Sequence, residues 1–393
     1  MKWLLLCFLY ISFSLLSCSG KQPNKIVFHG SSSDSIVITD CKNIICDSVS
    51  RRIYIKSITD LRGSVAIIPK GYKLVFDGGF FRNGTLIGND TEIEYIDKCF
   101  DNIIIEGTWH IPNISSDMFF YSGKVNEIVN LMSLTNPFIE NTVIIEKGVY
   151  NVRVDNNDED CIVVPSNTTL ILKGIIRLLP NSFSNYNILR ISGDNILIKG
   201  GGSIIGDKNF HIGNEGQWGM GIFIYGGKRV TIEDICVKDC WGDCIYIGGE
   251  SGDIFINNCN LDNGRRQGIS ITSAYNVSIF DCIISNIKGH APESGIDIEP
   301  NEGQSVNNVN IKGVSIFNCI GGILCYGYEK NAIVGDISID YCNILGCVKI
   351  PVRLYGCNNV DVLSCWIETN SKGESISKEQ INSYRERDIR LFK

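Results

Sequence analysis

VSIFDCIISNI, residues 277–287, alternates apolar and polar side chains, bends at Asp281 and Cys282, and then starts a second short strand. Alternation of this kind has the period of a β-strand with one buried face. The pattern returns in VTIEDICVKDC (230–240), DIFINNCNLDNG (253–264), VNIKGVSIFNC (309–319), DISIDYCNILGC (336–347) and VDVLSCWIETN (360–370). Its anchors Ile232, Ile256, Ile279, Ile311, Ile339 and Val362 are separated by 24, 23, 32, 28 and 23 residues. Upstream, NILIKGGGSIIG (195–206), TTLILKGIIRLL (168–179), NTVIIEKGVYNV (141–152), DNIIIEGTWHIP (101–112) and KLVFDGGFFRNGTLIG (73–88) look like earlier turns of the same repeat.

A unit this short cannot bury its apolar face alone, so the units must stack. Three short strands per repeat predict an all-β solenoid, a single-stranded right-handed parallel β-helix of about ten rungs. The columns agree with stacking. Ile235, Cys259, Cys282, Val314, Cys342 and Cys365 share one inward position. Cysteine there acts as a small hydrophobe. Most of the 17 cysteines are therefore read as core, with a bond such as Cys41–Cys46 left open. Asp239, Asn263, Asn286 and Asn318 share a bend position suited to tight turns.

The ends are expected to differ from the coil. Met1 and Lys2 precede an apolar run, Trp3–Leu16, too short to span a bilayer comfortably. The run ends in LLSC, which resembles a bacterial lipobox with Cys18 as the lipidated residue. This implies an exported lipoprotein of the periplasm, outer membrane or cell surface, touching the membrane through its anchor only. The expected organisation is a signal and lipobox at 1–18, an N-terminal cap at 19–70, the β-helix at 71–370 and a C-terminal cap at 371–393. The last segment is polar, and Ser377 before Glu379 and Gln380 reads as the N-cap of a short helix. A net charge of −7 argues against nucleic acid as a partner. No CxxC or paired His/Cys cluster supports zinc.

A third set of strands precedes each repeat: GMGIFIYGG (219–227), GDCIYIGG (242–249), RQGISITS (266–273), ESGIDIEP (293–300), IGGILCYG (320–327) and IPVRLYG (350–356). Their outward positions give two columns. One holds Phe223, Tyr246, Ser270, Asp297, Leu324 and Arg353; the other holds Tyr225, Gly248, Thr272, Glu299, Tyr326 and Tyr355. Acids among aromatic and small polar side chains suit a sugar chain, with apolar ring faces and polar rims. Catalysis is assigned to Asp243, Asp297 and Glu299, with His211 or Glu215 as helpers. Substrate binding is assigned to Arg265, Arg266, Gln267, Trp218, Tyr246, Tyr326 and Arg353. Asp243 and Asp297 lie two rungs apart, ~10 Å along the axis, nearer the spacing of inverting than of retaining glycosidases. His211, Glu215 and Trp218 occupy a longer, glycine-rich insertion, GDKNFHIGNEGQWGMGI (206–222).

The stacked repeats resemble the pectate-lyase-like β-helix superfamily across most of the chain. GDCIYIGG resembles the polygalacturonase DDC strand, with Asp243 at one of its aspartates; Gly242 stands at the other, and RRQG replaces the glycine-histidine-glycine rung. GIDIEPNE is similar to the alginate epimerase motif around GFDPHE, with Asp297 at its aspartate and Glu299 near its histidine position. Three functions follow. The first is a polysaccharide-cleaving glycoside hydrolase, which requires no cofactor. The second is a uronate lyase or epimerase, in which Asp297 and Glu299 would hold Ca²⁺. The third is a glycan-binding or structural lipoprotein without catalysis.

Overall fold

The computed structural model describes residues 25–27, 44–120 and 128–393. Cys18 with the lipobox, and Cys41, lie outside the described residues. Three parallel sheets run the length of the coil. The first has eleven strands, from Asn113–Ser115 to Tyr384–Arg387; the second has ten, from Val149–Val152 to Arg390–Phe392; the third has nine, from Glu159–Val164 to Ile376–Glu379. Every strand pairs with its counterpart one rung away, so each turn of chain contributes one strand per sheet.

The register matches the alternation in the sequence. Ile232, Ile256, Ile279, Ile311, Ile339 and Val362 are successive partners in the first sheet, and each is buried. The cysteine column is buried as well, and every described cysteine is a free thiol. Cys282 donates to the Phe280 carbonyl at 3.2 Å and Cys365 to that of Leu363 at 3.2 Å, so the inward thiols are hydrogen-bonded. At the bend, Asp239, Asn263, Asn286 and Asn318 have φ of 54–58°. Short polar side chains tolerate that left-handed backbone. Asn263 Nδ2 also donates to Asp239 Oδ1 one rung below, at 2.6 Å.

Both ends depart from expectation. Parallel pairing begins upstream of residue 71, where Arg52–Ile55 pairs with Lys73–Phe76 and Val65–Ile67 pairs with the long strand Phe81–Tyr95. The short helix expected in 371–393 is absent. Ile376–Glu379, Tyr384–Arg387 and Arg390–Phe392 instead form one more rung on the three sheets. The preceding rung presents unpaired backbone groups that a helix could not satisfy. Ile376, Ile381, Tyr384 and Ile389 seal the core beneath this last rung. Ladder bonding and burial thus outweigh a polar, helix-prone composition.

Candidate functional site

The third sheet carries the candidate site. Its central outward column runs Arg190, Phe223, Tyr246, Ser270, Asp297, Leu324, Arg353, Ser377, in register from rung to rung. Ile296 and Ile298 point inward on either side of Asp297 and are fully buried. The strand therefore anchors through its isoleucines and turns Asp297 and Glu299 to the outer face.

Asp297 is nevertheless only 1 % exposed. Gln267, also buried, donates from Nε2 to Asp297 Oδ2 at 2.6 Å, and its Oε1 accepts the Ser294 amide at 2.8 Å. This pins one oxygen of the carboxyl. The other, Oδ1, is buried and receives no donor, and Glu299 stands close enough on the same strand for the two charges to interact. Burial first, then the charge of Glu299, push Asp297 well above the usual carboxylate range. Burial also raises Glu299, against the pull of Arg266. Two such neighbouring carboxyls resist ionising together, because both cannot ionise cheaply side by side.

A cleft of about 290 Å³ opens over this pair. Arg266, Ser270, Thr272, Asn301, Glu302 and Glu329 line it. Arg266 reaches back under the cleft wall, with Nη1 3.1 Å from Asp243 Oδ2. Asp243 is fully buried; desolvation lifts it to about 6, with Arg266 pulling the other way. Arg353 donates from Nη2 to Ser294 Oγ at 2.7 Å, beside the same pair.

Aromatic groups flank the cleft along the coil. Phe223 stacks on Tyr246 at 4.9 Å and on Tyr225 at 5.6 Å. Tyr246 shares a 2.8 Å hydrogen bond with Thr272. On the far side, Tyr326, Tyr328 and Tyr355 form a second cluster.

The structure thus gathers Asp297, Glu299, Arg266, Gln267 and Arg353, with Tyr246 and Tyr326 alongside. Asp243 lies beneath this surface, so the carboxylates that meet at the cleft are Asp297 and Glu299 of one strand, not Asp243 and Asp297 across two rungs. His211, Glu215 and Trp218 do not line the cleft. The His211 side chain is 1 % exposed. It bonds Asp207 at 2.8 Å and stacks 3.8 Å from Trp241. Arg265 covers the other partner in that stack, 3.7 Å over Trp241, and donates to the Gly216 and Asn214 carbonyls. Together these groups fasten the loop 206–217. Glu215 is exposed on that loop, with its carbonyl accepting the Trp241 indole N–H, and Trp218 is exposed at the start of its strand. Sequence reasoning missed Glu302, Glu329 and Trp241. The first two follow the third-sheet strands, where loop length was the available signal. Among the described residues, no three His, Cys, Asp or Glu side chains converge to hold a metal ion.

Similarity to known proteins bears on the fold. The chain is 30 % identical over 206 residues to the Bacillus subtilis protein YclG, covering 47 % of this chain and 33 % of that one. It is 31 % identical over 162 residues to the SPbeta prophage-derived protein YorA of Bacillus subtilis, covering 35 % and 28 %. The chain thus matches about a third of the length of each of these relatives. Among solved structures, the A-module of the Azotobacter vinelandii mannuronan C-5 epimerase AlgE4 aligns with 15 % identity and a TM-score of 0.43, over 64 % of this chain and 87 % of that one. The family model for the right-handed β-helix region matches residues 138–298 and 181–337, which together span just over half the sequence. The chain belongs to the right-handed β-helix family.

Proposed function

We propose that this chain is an exported carbohydrate-active enzyme that hydrolyses a polysaccharide over the outer face of the third sheet, with Cys18 as its lipid anchor. The observation that carries the reading is the carboxyl of Asp297. It is buried, fixed by Gln267 through one oxygen, and left without a donor at the other, beside Glu299 under an open cleft. A carboxyl that keeps its proton near neutral pH suits a general acid. Asp297 would protonate the leaving glycosidic oxygen, with Glu299 beside it raising its proton affinity, and Glu302 or Glu329 of the same cleft would take a proton from the attacking water, since Glu299 stands too close to Asp297 to admit a water between them. Arg266 holds positive charge beside the carboxylate that Asp297 becomes on giving up its proton, and Asp243 positions Arg266 from below. The aromatic clusters on both sides suit sugar rings on either side of the scissile bond.

A second reading is a lyase or C5 epimerase acting on uronates. The position of Arg266 and Arg353 beside the carboxyl pair favours it, since that chemistry must neutralise a uronate carboxylate before the α-proton leaves. One experiment separates the two. The mature protein is incubated with neutral and uronate-containing glycans, with and without Ca²⁺. New reducing ends without unsaturated uronate absorbance support hydrolysis. Unsaturated products, or an inverted C5 centre without cleavage, support the second reading. Full turnover by Asp297→Asn removes Asp297 from either scheme.

A further inference from the structure

A second cleft, of about 490 Å³, lies beside the candidate site at the turn that leaves the third sheet. Tyr225, Tyr275, Glu250, Ser273 and Gln304 line it. The volume falls in the range of pockets that enclose small ligands. Two tyrosines exposed to 45 % and 37 %, Tyr225 and Tyr275, face this one space.

Both rings lie close against a glycine. A Cβ at Gly249 would stand 2.7 Å from Tyr225 Cδ1 and 2.8 Å from its Cε1. A Cβ at Gly252 would enter the Tyr275 ring itself. Each tyrosine thus rests against bare backbone, and Tyr225 is also stacked on Phe223, 5.6 Å away. These contacts hold both rings in place, with polar groups beside them. The Glu250 amide is held by Ser273 Oγ at 3.1 Å. Gln304 Oε1 accepts Asn301 Nδ2 at 2.8 Å. Since Asn301 lines the Asp297 cleft and Gln304 lines this one, a single turn forms the wall between the two.

We infer that this second cleft is a glycan subsite, in which pyranose rings stack on Tyr225 and Tyr275 while Glu250, Ser273 and Gln304 meet their hydroxyls. The inference rests on the reading of the chain as a polysaccharide-acting enzyme. It adds that the polymer extends from Asp297 across the turn 299–305, so that recognition involves rings remote from the scissile bond. Binding energy gained at such a distance favours long chains over short oligosaccharides.

The test uses native gels cast with galactomannan, xyloglucan, alginate or polygalacturonate, and measures retardation of the full chain. Asp297→Asn serves as the binding-competent, slow-turnover reference. Tyr275→Ala is expected to weaken retardation about tenfold, equivalent to ~1.4 kcal/mol; Tyr275→Phe is expected to keep it. Gly252→Ala supplies a variant that retains the tyrosine. The added methyl meets the far end of a movable ring, so the ring swings off its platform without burial of new backbone, and binding is expected to fall as for Tyr275→Ala. Retardation by none of the four glycans overturns the inference, as does equal retardation of wild type, Tyr275→Ala and Gly252→Ala. Persistence of turnover in Asp297→Asn with loss of binding in Tyr275→Ala would instead remove the hydrolytic role of Asp297 and leave the subsite standing.

Discussion

Replacing Asp243 by Asn isolates the protonation of one buried group. Asp243 is fully buried, and its folded-state value of about 6 stands above the ordinary 3.8. The gap, at 1.36 kcal/mol per pH unit, amounts to roughly 3 kcal/mol. Its sign follows from the raised value. Folding binds the proton more tightly than the unfolded chain does, so this contribution is fully present below about pH 4 and is lost as pH rises through about 6. Asn keeps an oxygen for Arg266 but cannot ionise. The variant is therefore expected to lack this part of the pH slope. Arg266 stays charged at every pH used, so the cost of its changed partner is constant and cancels from the slope. Removing the charge of Asp243 also eases ionisation of Asp297, which acts in the same direction. Urea unfolding of both proteins at intervals from pH 4 to 7 gives the difference in unfolding free energy. That difference is expected to shift by roughly 3 kcal/mol in favour of the variant across the range. A flat difference would refute the reasoning, since it would mean that Arg266 compensates the burial of Asp243 completely.

Asp297→Asn is expected to lower turnover by about 10²-fold or more while leaving the circular dichroism of the coil unchanged. Gln267→Leu removes the 2.6 Å donor to Asp297; it is expected to cost ~1–3 kcal/mol in urea unfolding and to move the alkaline limb of the pH–rate profile to higher pH, because the ionised form of Asp297 loses its hydrogen bond and a general acid is active only while protonated. Cys282, Cys342 and Cys365 are buried and hydrogen-bonded to backbone carbonyls. Iodoacetamide is therefore expected to leave them unlabelled in the native protein and to modify them in denaturant, with mass spectrometry of tryptic peptides as the check.

The coil was legible because its signal is repeated. Any one of VSIFDCIISNI or VDVLSCWIETN reads as a strand; six of them with aligned isoleucines read as a stack. The outward column through Tyr246, Ser270, Asp297 and Arg353 was legible for the same reason, since alternation fixes the face of every residue on a strand. What alternation does not give is depth. Asp297 stands on an outward position and Asp243 just before its strand, yet both are almost wholly buried, and Arg266 of the next rung folds back onto Asp243. Nor does it give the path of a loop. The polar and aromatic residues of 206–217 looked like a site, but Asp207 takes His211, Tyr186 and Asn181 into one buried network. Their chemistry serves to hold the loop. At the C-terminus, local helix propensity was the weaker signal, and an open sheet edge decided the outcome.

Repeat length carries information that residue type does not. Inward columns fix the three strands of each rung, so residues beyond the shortest repeat of 23 have no room in the core and must enter turns. The step from Ile279 to Ile311 has 32 residues and the step from Ile311 to Ile339 has 28. In the first of these, part of the surplus falls after Ser294–Ile298 and includes Asn301 and Glu302; in the second, part falls after Gly321–Tyr326 and includes Glu329. All three line the cleft over Asp297. The preceding step, of 23 residues, leaves only Thr272 and Ser273 between its third-sheet strand and the next strand. A flat face there meets raised walls on the following two rungs, and the carboxyl pair stands at the step between them. Uniform repeats would give a smooth column of side chains with no concavity; the unequal ones convert the same column into a cleft. The irregular spacing of the anchors thus locates the cleft independently of the acids inside it.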